Sequence, residues 1–115
     1  MARILVVDDE PDIRLLVRFF LEPSGHEVIE AATGRAGVEW MSSLSPDLVL
    51  LDLRLPDVDG WEVLEEVSRL PGDERPRVVV MSAHASPSTL ERAAREGADG
   101  YIVKPFREAD LLRWV

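Results

Sequence analysis

Arg3-Ile4-Leu5-Val6-Val7-Asp8-Asp9 and Leu48-Val49-Leu50-Leu51-Asp52 decide the fold. Both are nearly unbroken aliphatic runs rather than the apolar-polar alternation of a half-exposed strand. Each therefore predicts a strand covered on both faces, as in a parallel sheet between helix layers. Residues 3–8, 48–52 and 78–82 share this character. Residues 27–31, where Glu27 and Glu30 mix with Val28 and Ile29, and the short stretch 100–103 predict the two edges. Helical spacing fills the intervals, so strand and helix alternate five times. The expectation is an α/β domain, a (βα)5 three-layer sandwich whose parallel sheet has the order 2-1-3-4-5.

Pro11 suits a first helical turn, and Ile13, Leu16, Val17, Phe20 and Leu21 form one stripe with Arg14 and Arg18 facing outward. That helix should stop near Pro23-Ser24-Gly25. A second is expected from about Gly34 to Ser43, after Thr33. Asp59 with Glu62 has the spacing of a capping box for a third, which turns Val63, Leu64, Val67 and Leu70 to the sheet. Ser86-Pro87 starts a fourth, which packs Leu90, Ala93 and Ala94 and stops at Gly97. The fifth opens after Phe106 and carries Leu111, Leu112 and Val115. Its pattern is cut at Val115, so residues 1–115 are expected to be a single domain that an effector domain follows if the native chain is longer. Trp114, beside that end, is the expected exposed contact, and His26 has no evident partner.

A formal charge of −9 argues against binding nucleic acid or anionic lipid directly, because both reward an excess of Lys and Arg. With no cysteine there is neither a thiolate metal site nor a thiol nucleophile. No apolar stretch approaches the roughly 20 residues that span a bilayer, and the start lacks a signal-peptide pattern. The expected location is therefore the cytoplasm, off the membrane. Twelve arginines stand against a single lysine, Lys104.

That lysine ends the fifth apolar run, as Asp8-Asp9 and Asp52 end the first and third. In an open α/β sheet these ends gather at one crevice, where such folds bind ligands. Three carboxylates and one ammonium there suit a divalent metal and a phosphoryl group. A carboxylate such as Asp52 can attack a phosphoryl donor, provided positive charge is already present. Mg²⁺ supplies it through oxygen ligands: Asp9 and Asp52 directly, Asp8 directly or through water, and a backbone carbonyl near Arg54. Lys104 would balance the remaining phosphoryl charge, so in-line positioning and electrostatics replace a general base. Ser82, at the end of the fourth run, can offer its hydroxyl to a phosphoryl oxygen, with Tyr101 filling or vacating the space beside its loop. Arg54 and His84 flank the path of an attacking water and are expected to set the lifetime of the phosphoryl group. His84 is otherwise expected to be a solvated loop residue without a direct role.

With these residues in place, the chain resembles the receiver domain of two-component response regulators over essentially its whole length. The matching segments are Ile4-Leu-Val-Val-Asp-Asp-Glu-Pro11, Gly25-His-Glu-Val28 through Ala32-Thr-Gly34, Asp47-Leu-Val-Leu-Leu-Asp52, Leu55-Pro56, Asp59-Gly60, Val80-Met-Ser-Ala83 and Gly97-Ala-Asp-Gly-Tyr-Ile-Val-Lys-Pro-Phe106. The resemblance implies a flavodoxin-like fold and a signalling switch rather than a turnover enzyme. It implies that Asp52 accepts phosphoryl from a sensor histidine kinase or phosphotransfer protein, with Asp8, Asp9 and Mg²⁺ assisting. It further implies that Ser82 and Lys104 contact the phosphoryl group, that Tyr101 belongs to the switch, and that Lys104-Pro105 is a cis peptide. The face of the fourth helix, fifth strand and fifth helix would meet an output domain or partner protein, or form a phosphorylation-dependent homodimer. Ser82 stands where many relatives have Thr, Leu55 where Met is frequent, and Gly100 where many carry a second acid.

Three rivals remain to be separated. A phosphohydrolase of the haloacid dehalogenase type needs an acid two residues after its nucleophile, and that position is Arg54. An FMN binder with this strand order needs a first loop that cradles phosphate, which Asp8-Asp9-Glu10 would repel. The last is a receiver-like interaction module that is never phosphorylated.

Overall fold

Strand β1 (Arg3–Val7) lies between β2 (Glu27–Ala31) and β3 (Leu48–Asp52); β4 (Arg77–Ser82) follows β3, and β5 (Gly100–Val103) closes the far edge. All four pairings are parallel, giving the order 2-1-3-4-5 anticipated from the aliphatic runs. The structure is a computed structural model that describes residues 1–84 and 86–115. Helices α1 (Pro11–Leu21), α2 (Gly34–Leu44), α3 (Gly60–Ser68), α4 (Pro87–Arg95) and α5 (Glu108–Leu112) occupy the crossovers. The first helix passes into a 3-10 turn at Glu22–Ser24 and ends at Gly25, whose φ of 89° places it in the left-handed region. A glycine there carries no Cβ penalty.

Alternate residues of each central strand feed opposite faces. Ile4, Val6, Leu48, Leu50 and Met81 pack under Val17 and Leu21 of α1 and Leu111 of α5. Leu5, Val7, Val49 and Leu51 pack under Met41 of α2 and Val63, Leu64 and Val67 of α3. Each such aliphatic side chain, withdrawn fully from water, contributes about 1.5–3 kcal/mol before the entropy of ordering it is subtracted. Sheet-wide burial of both faces is what makes the aliphatic runs continuous.

Several side chains lie elsewhere than helical spacing places them. Arg14 and Arg18 do not face outward but fold back on edge strand β2: Arg14 Nε donates to Glu30 at 2.8 Å and Arg18 Nη1 to the Val28 carbonyl at 2.7 Å. An edge strand offers unpaired acceptors that long cationic side chains can reach. Of the apolar residues expected to pack from α4, Ala93 is buried, whereas Leu90 remains 40% exposed and Ala94 is exposed. β5 is the edge strand of the sheet, so no further strand lies beyond it to cover the outer side of α4. Asp59 caps α3 by accepting from the Trp61 amide at 2.9 Å, and among the described residues Glu62 returns no bond to complete a box. His26 has a partner after all, because its Nδ1 accepts the Ala2 amide at 3.0 Å. Trp114 packs against the α1/α5 side of the core rather than standing out as a contact.

Candidate functional site

Because the strands are parallel, their carboxyl ends share one edge of the sheet. Register does the rest: Val7 pairs with Leu51, Asp52 with Met81, and Ser82 with Val103. Asp8, Asp52, Ser82 and Lys104 thus emerge side by side. Asp8 is fully buried, while Asp52 and Ser82 are each 5% exposed. Gly60, at the start of α3, permits this packing behind Asp52, since a Cβ there would lie 2.6 Å from the Asp52 carbonyl oxygen.

Lys104 is the hub. Its Nζ lies 2.7 Å from Asp8 Oδ2, 3.0 Å from Asp52 Oδ2 and 3.1 Å from Glu10 Oε1. Its backbone amide donates to the Ser82 carbonyl at 2.8 Å, and the Lys104-Pro105 peptide is cis. Asp8 Oδ1 accepts the Glu10 amide at 2.9 Å, and Asp52 Oδ1 accepts the Arg54 amide at 3.0 Å. Ser82 Oγ accepts the His84 amide at 3.1 Å. Asp9, Glu10, Asp52, Arg54, Ser82, Ala83 and Lys104 line the resulting cleft of about 330 Å³.

Charge in the cleft is unbalanced. Burial raises the Asp8 carboxyl above its ordinary pKa and the neighbouring Asp52 charge adds to this, against the opposing pull of Lys104 and the Glu10 amide. Burial alone would lower the Lys104 ammonium, yet the adjoining Asp8 and Asp52 carboxylates together push it well above the usual lysine value. One carboxylate oxygen from each of Asp8, Asp9, Glu10 and Asp52 falls within 4.8 Å of the others. Asp8 Oδ2, although close to the Lys104 ammonium, receives no well-aligned hydrogen bond. Four clustered carboxylates against one ammonium form an all-oxygen donor set that fits a hard divalent cation such as Mg²⁺.

Sequence reasoning left Glu10 off the candidate set; it is the third acid of the same loop, and that adjacency was the available signal. A contact between Arg54 and His84 was also invisible, since 30 residues separate them. Arg54 Nη2 donates to His84 Nε2 at 3.0 Å, and both residues line a second hollow beside the cleft with Leu53, Asp59 and Ser82. A guanidinium can only donate, so Nε2 is the acceptor. The Tyr101 hydroxyl, from edge strand β5, donates to the His84 carbonyl and so ties β5 to the residues after Ser82.

The family model described as the response regulator receiver domain matches residues 4–115. The chain is 38% identical over 111 residues to the chemotaxis protein CheY of Bacillus subtilis, covering 96% of this chain and 91% of that protein. It is 39% identical over 108 residues to the luminescence regulatory protein LuxO of Vibrio campbellii, covering 94% of this chain but spanning only 23% of that longer protein. A solved CheY-like receiver domain protein from Methanospirillum hungatei superposes with a TM-score of 0.89 at 34% identity, over 99% of this chain and 90% of that one. Receiver domains are signalling modules that use Mg²⁺ at an acidic pocket of this kind. With the sheet order, the acidic cleft and the match in agreement, this chain belongs to the response regulator receiver domain family, the phosphorylation-regulated modules of two-component systems.

Proposed function

We propose that this chain is a switch thrown by phosphorylation of Asp52, and that the observation carrying this reading is Lys104 Nζ held between Asp8 and Asp52 at 2.7 and 3.0 Å. The donor is the phosphohistidine of a sensor histidine kinase or a phosphotransfer protein. An Asp52 carboxylate oxygen attacks phosphorus in line, the P–N bond of the donor breaks, and the imidazole leaves with the bonding pair. Asp8, Asp9, Asp52 and the backbone carbonyl of Arg54 would hold Mg²⁺, which when bound neutralises the developing phosphoryl charge. Lys104 screens the same charge from the opposite side, and the Ser82 hydroxyl donates to a phosphoryl oxygen. No proton need leave the attacking carboxylate, so a general base is unnecessary.

Ser82 Oγ, which accepts the His84 amide in the unphosphorylated chain, would turn toward the phosphoryl group and draw its loop with it. Tyr101, bonded to the His84 carbonyl, reads that displacement at β5. The phosphoryl group favours the arrangement in which Ser82 can reach it, and this differential drives the population shift. The face α4-β5-α5 then changes affinity for an output domain or partner protein, or for a second copy in a phosphorylation-dependent homodimer. Leu90 at 40% and Val103 at 43% exposure give that face apolar contact area. No helix among the described residues is long and apolar enough to cross a membrane. We place the receiver, residues 1–115, in the cytoplasm with its kinase donor. The same cleft assists hydrolysis of its own aspartyl phosphate without acting on other substrates.

Incubation with Mg²⁺ and phosphoramidate, followed by intact-mass measurement, tests the reading. A single phosphoryl gain that hydroxylamine removes and Asp52→Asn abolishes is expected. No gain under saturating donor would instead assign the chain to the unphosphorylated interaction modules.

A further inference from the structure

The residues from 30 to 35, where β2 passes into α2, carry none of the proposed chemistry, yet they hold both loops that do. On one side, the Asp8 amide donates to the Ala31 carbonyl at 3.0 Å. Arg14 strengthens this tie by donating through Nη1 to the Asp8 carbonyl at 2.7 Å and through Nε to Glu30 at 2.8 Å. On the other side stands Asp57, at the tip of the loop that follows Asp52. Its Oδ1 accepts the Gly34 amide at 2.8 Å and its Oδ2 the Arg35 amide at 3.0 Å. Both oxygens of one side chain are thus spent on the first turn of a helix 22 and 23 residues away in sequence. The Arg35 amide, followed by that of Gly34, holds the Asp57 carboxyl below the usual aspartate range although the group is exposed.

Helix α2 already has its own cap, because Thr33 Oγ1 accepts the Ala36 amide at 3.1 Å. Asp57 adds to this a bond between two separate elements. Its loop is pinned at the base, where the Gly60 amide donates to the Leu53 carbonyl at 3.0 Å, and at the tip by Asp57. Arg54 lies between those pins. Contact at the tip is close: a Cβ on Gly34 would fall 2.2 Å from Val58 Cγ2.

We propose that Asp57 is a positioning residue for the cation site, which clamps the Asp52–Asp59 loop to the first turn of α2 and so fixes the Arg54 carbonyl relative to Asp8 and Asp9. This inference rests on the cation-site reading given above. Fixing the ligand before the ion arrives removes the ordering cost that binding would otherwise carry. Loss of partners that orient metal ligands typically weakens metal affinity by about 10–100-fold.

Titration of the ¹⁵N-labelled chain with Mg²⁺ alone, followed by amide shifts, reads the dissociation constant without any phosphoryl transfer. Asp57→Ala and Asp57→Asn remove the same charge, but Asn keeps one acceptor oxygen. Binding about tenfold weaker in Asp57→Ala, with Asp57→Asn between it and wild type and Thr33→Ala unchanged, is the expected result. Asp57→Ala binding within twofold of wild type, or no weaker than Asp57→Asn, overturns the inference. If both variants lose thermal stability while their Mg²⁺ affinity stays at the wild-type value, Asp57 is a helix cap alone and the inference falls. A wild-type chain that shows no saturable Mg²⁺ shifts would overturn the cation site itself, and the positioning role with it.

Discussion

Arg54 Nη2 and His84 Nε2 meet at 3.0 Å beside the acidic cleft, joining the residues after β3 to those after β4. Arg54 lines that cleft and the His84 amide is bonded to Ser82 Oγ at its rim, so the pair is expected to shield a phosphoryl group on Asp52 from water. Arg54→Ala and His84→Ala, which leave the backbone carbonyl at 54 in place, should therefore each shorten the aspartyl-phosphate lifetime. The expected change is roughly threefold to tenfold, at most about 1.4 kcal/mol of barrier. Phosphate release after donor removal measures it, and an unchanged decay rate in both variants would dismiss this gating role.

Gly100 is expected to be intolerant of any side chain. A Cβ there would lie 2.1 Å from the Trp114 ring, whose carbonyl in turn accepts Arg77 Nη2 at 2.7 Å. Gly100→Ala should cost about 1–3 kcal/mol through overpacking. Its emission should also shift red as the Trp114 indole is lifted into water. Urea melts and fluorescence spectra on the same samples check both outcomes.

Asp8→Asn should make the metal-free chain more resistant to urea, because burial and the Asp52 charge disfavour the ionised carboxyl in the folded state. Mg²⁺ should reverse the ranking. A ligand that binds only the native state adds about 2.7 kcal/mol at a hundred times its dissociation constant, and Asp8→Asn should forfeit most of that gain. Urea midpoints in chelator and in excess Mg²⁺ provide the comparison.

The lowered pKa of Asp57 fixes the sign of its pH dependence. A carboxyl depressed on folding contributes fully above its unfolded pKa of about 4 and loses that contribution as pH falls through the depressed value. The melting-temperature gap between wild type and Asp57→Ala should accordingly be widest near neutrality and close below about pH 4. A gap that widens in acid would contradict the assignment.

The parallel sheet was legible because burial on both faces writes itself into the chain as aliphatic runs, and the strand ends then located Asp8, Asp52 and Lys104. Features that depend on distant backbone were not. Nothing local marks Asp57 as the partner of the Gly34 and Arg35 amides, since an acid after Pro56 reads as an ordinary turn residue. The same limitation explains Trp114. An aromatic near a chain end reads as exposed until Gly100, 14 residues earlier, is seen to leave it a seat. Arg14 and Arg18 misled for a related reason: helical spacing locates the Cα, whereas a long side chain can bend back to an edge strand.

Borohydride trapping tests the central claim most directly, because it reduces an acyl phosphate to the alcohol and marks the residue that carried it. After reaction with phosphoramidate in Mg²⁺, tandem mass spectrometry should find homoserine at position 52 alone, and chelator should abolish it. Reduction at another carboxylate, or equal labelling of position 52 without divalent metal, would contradict the account.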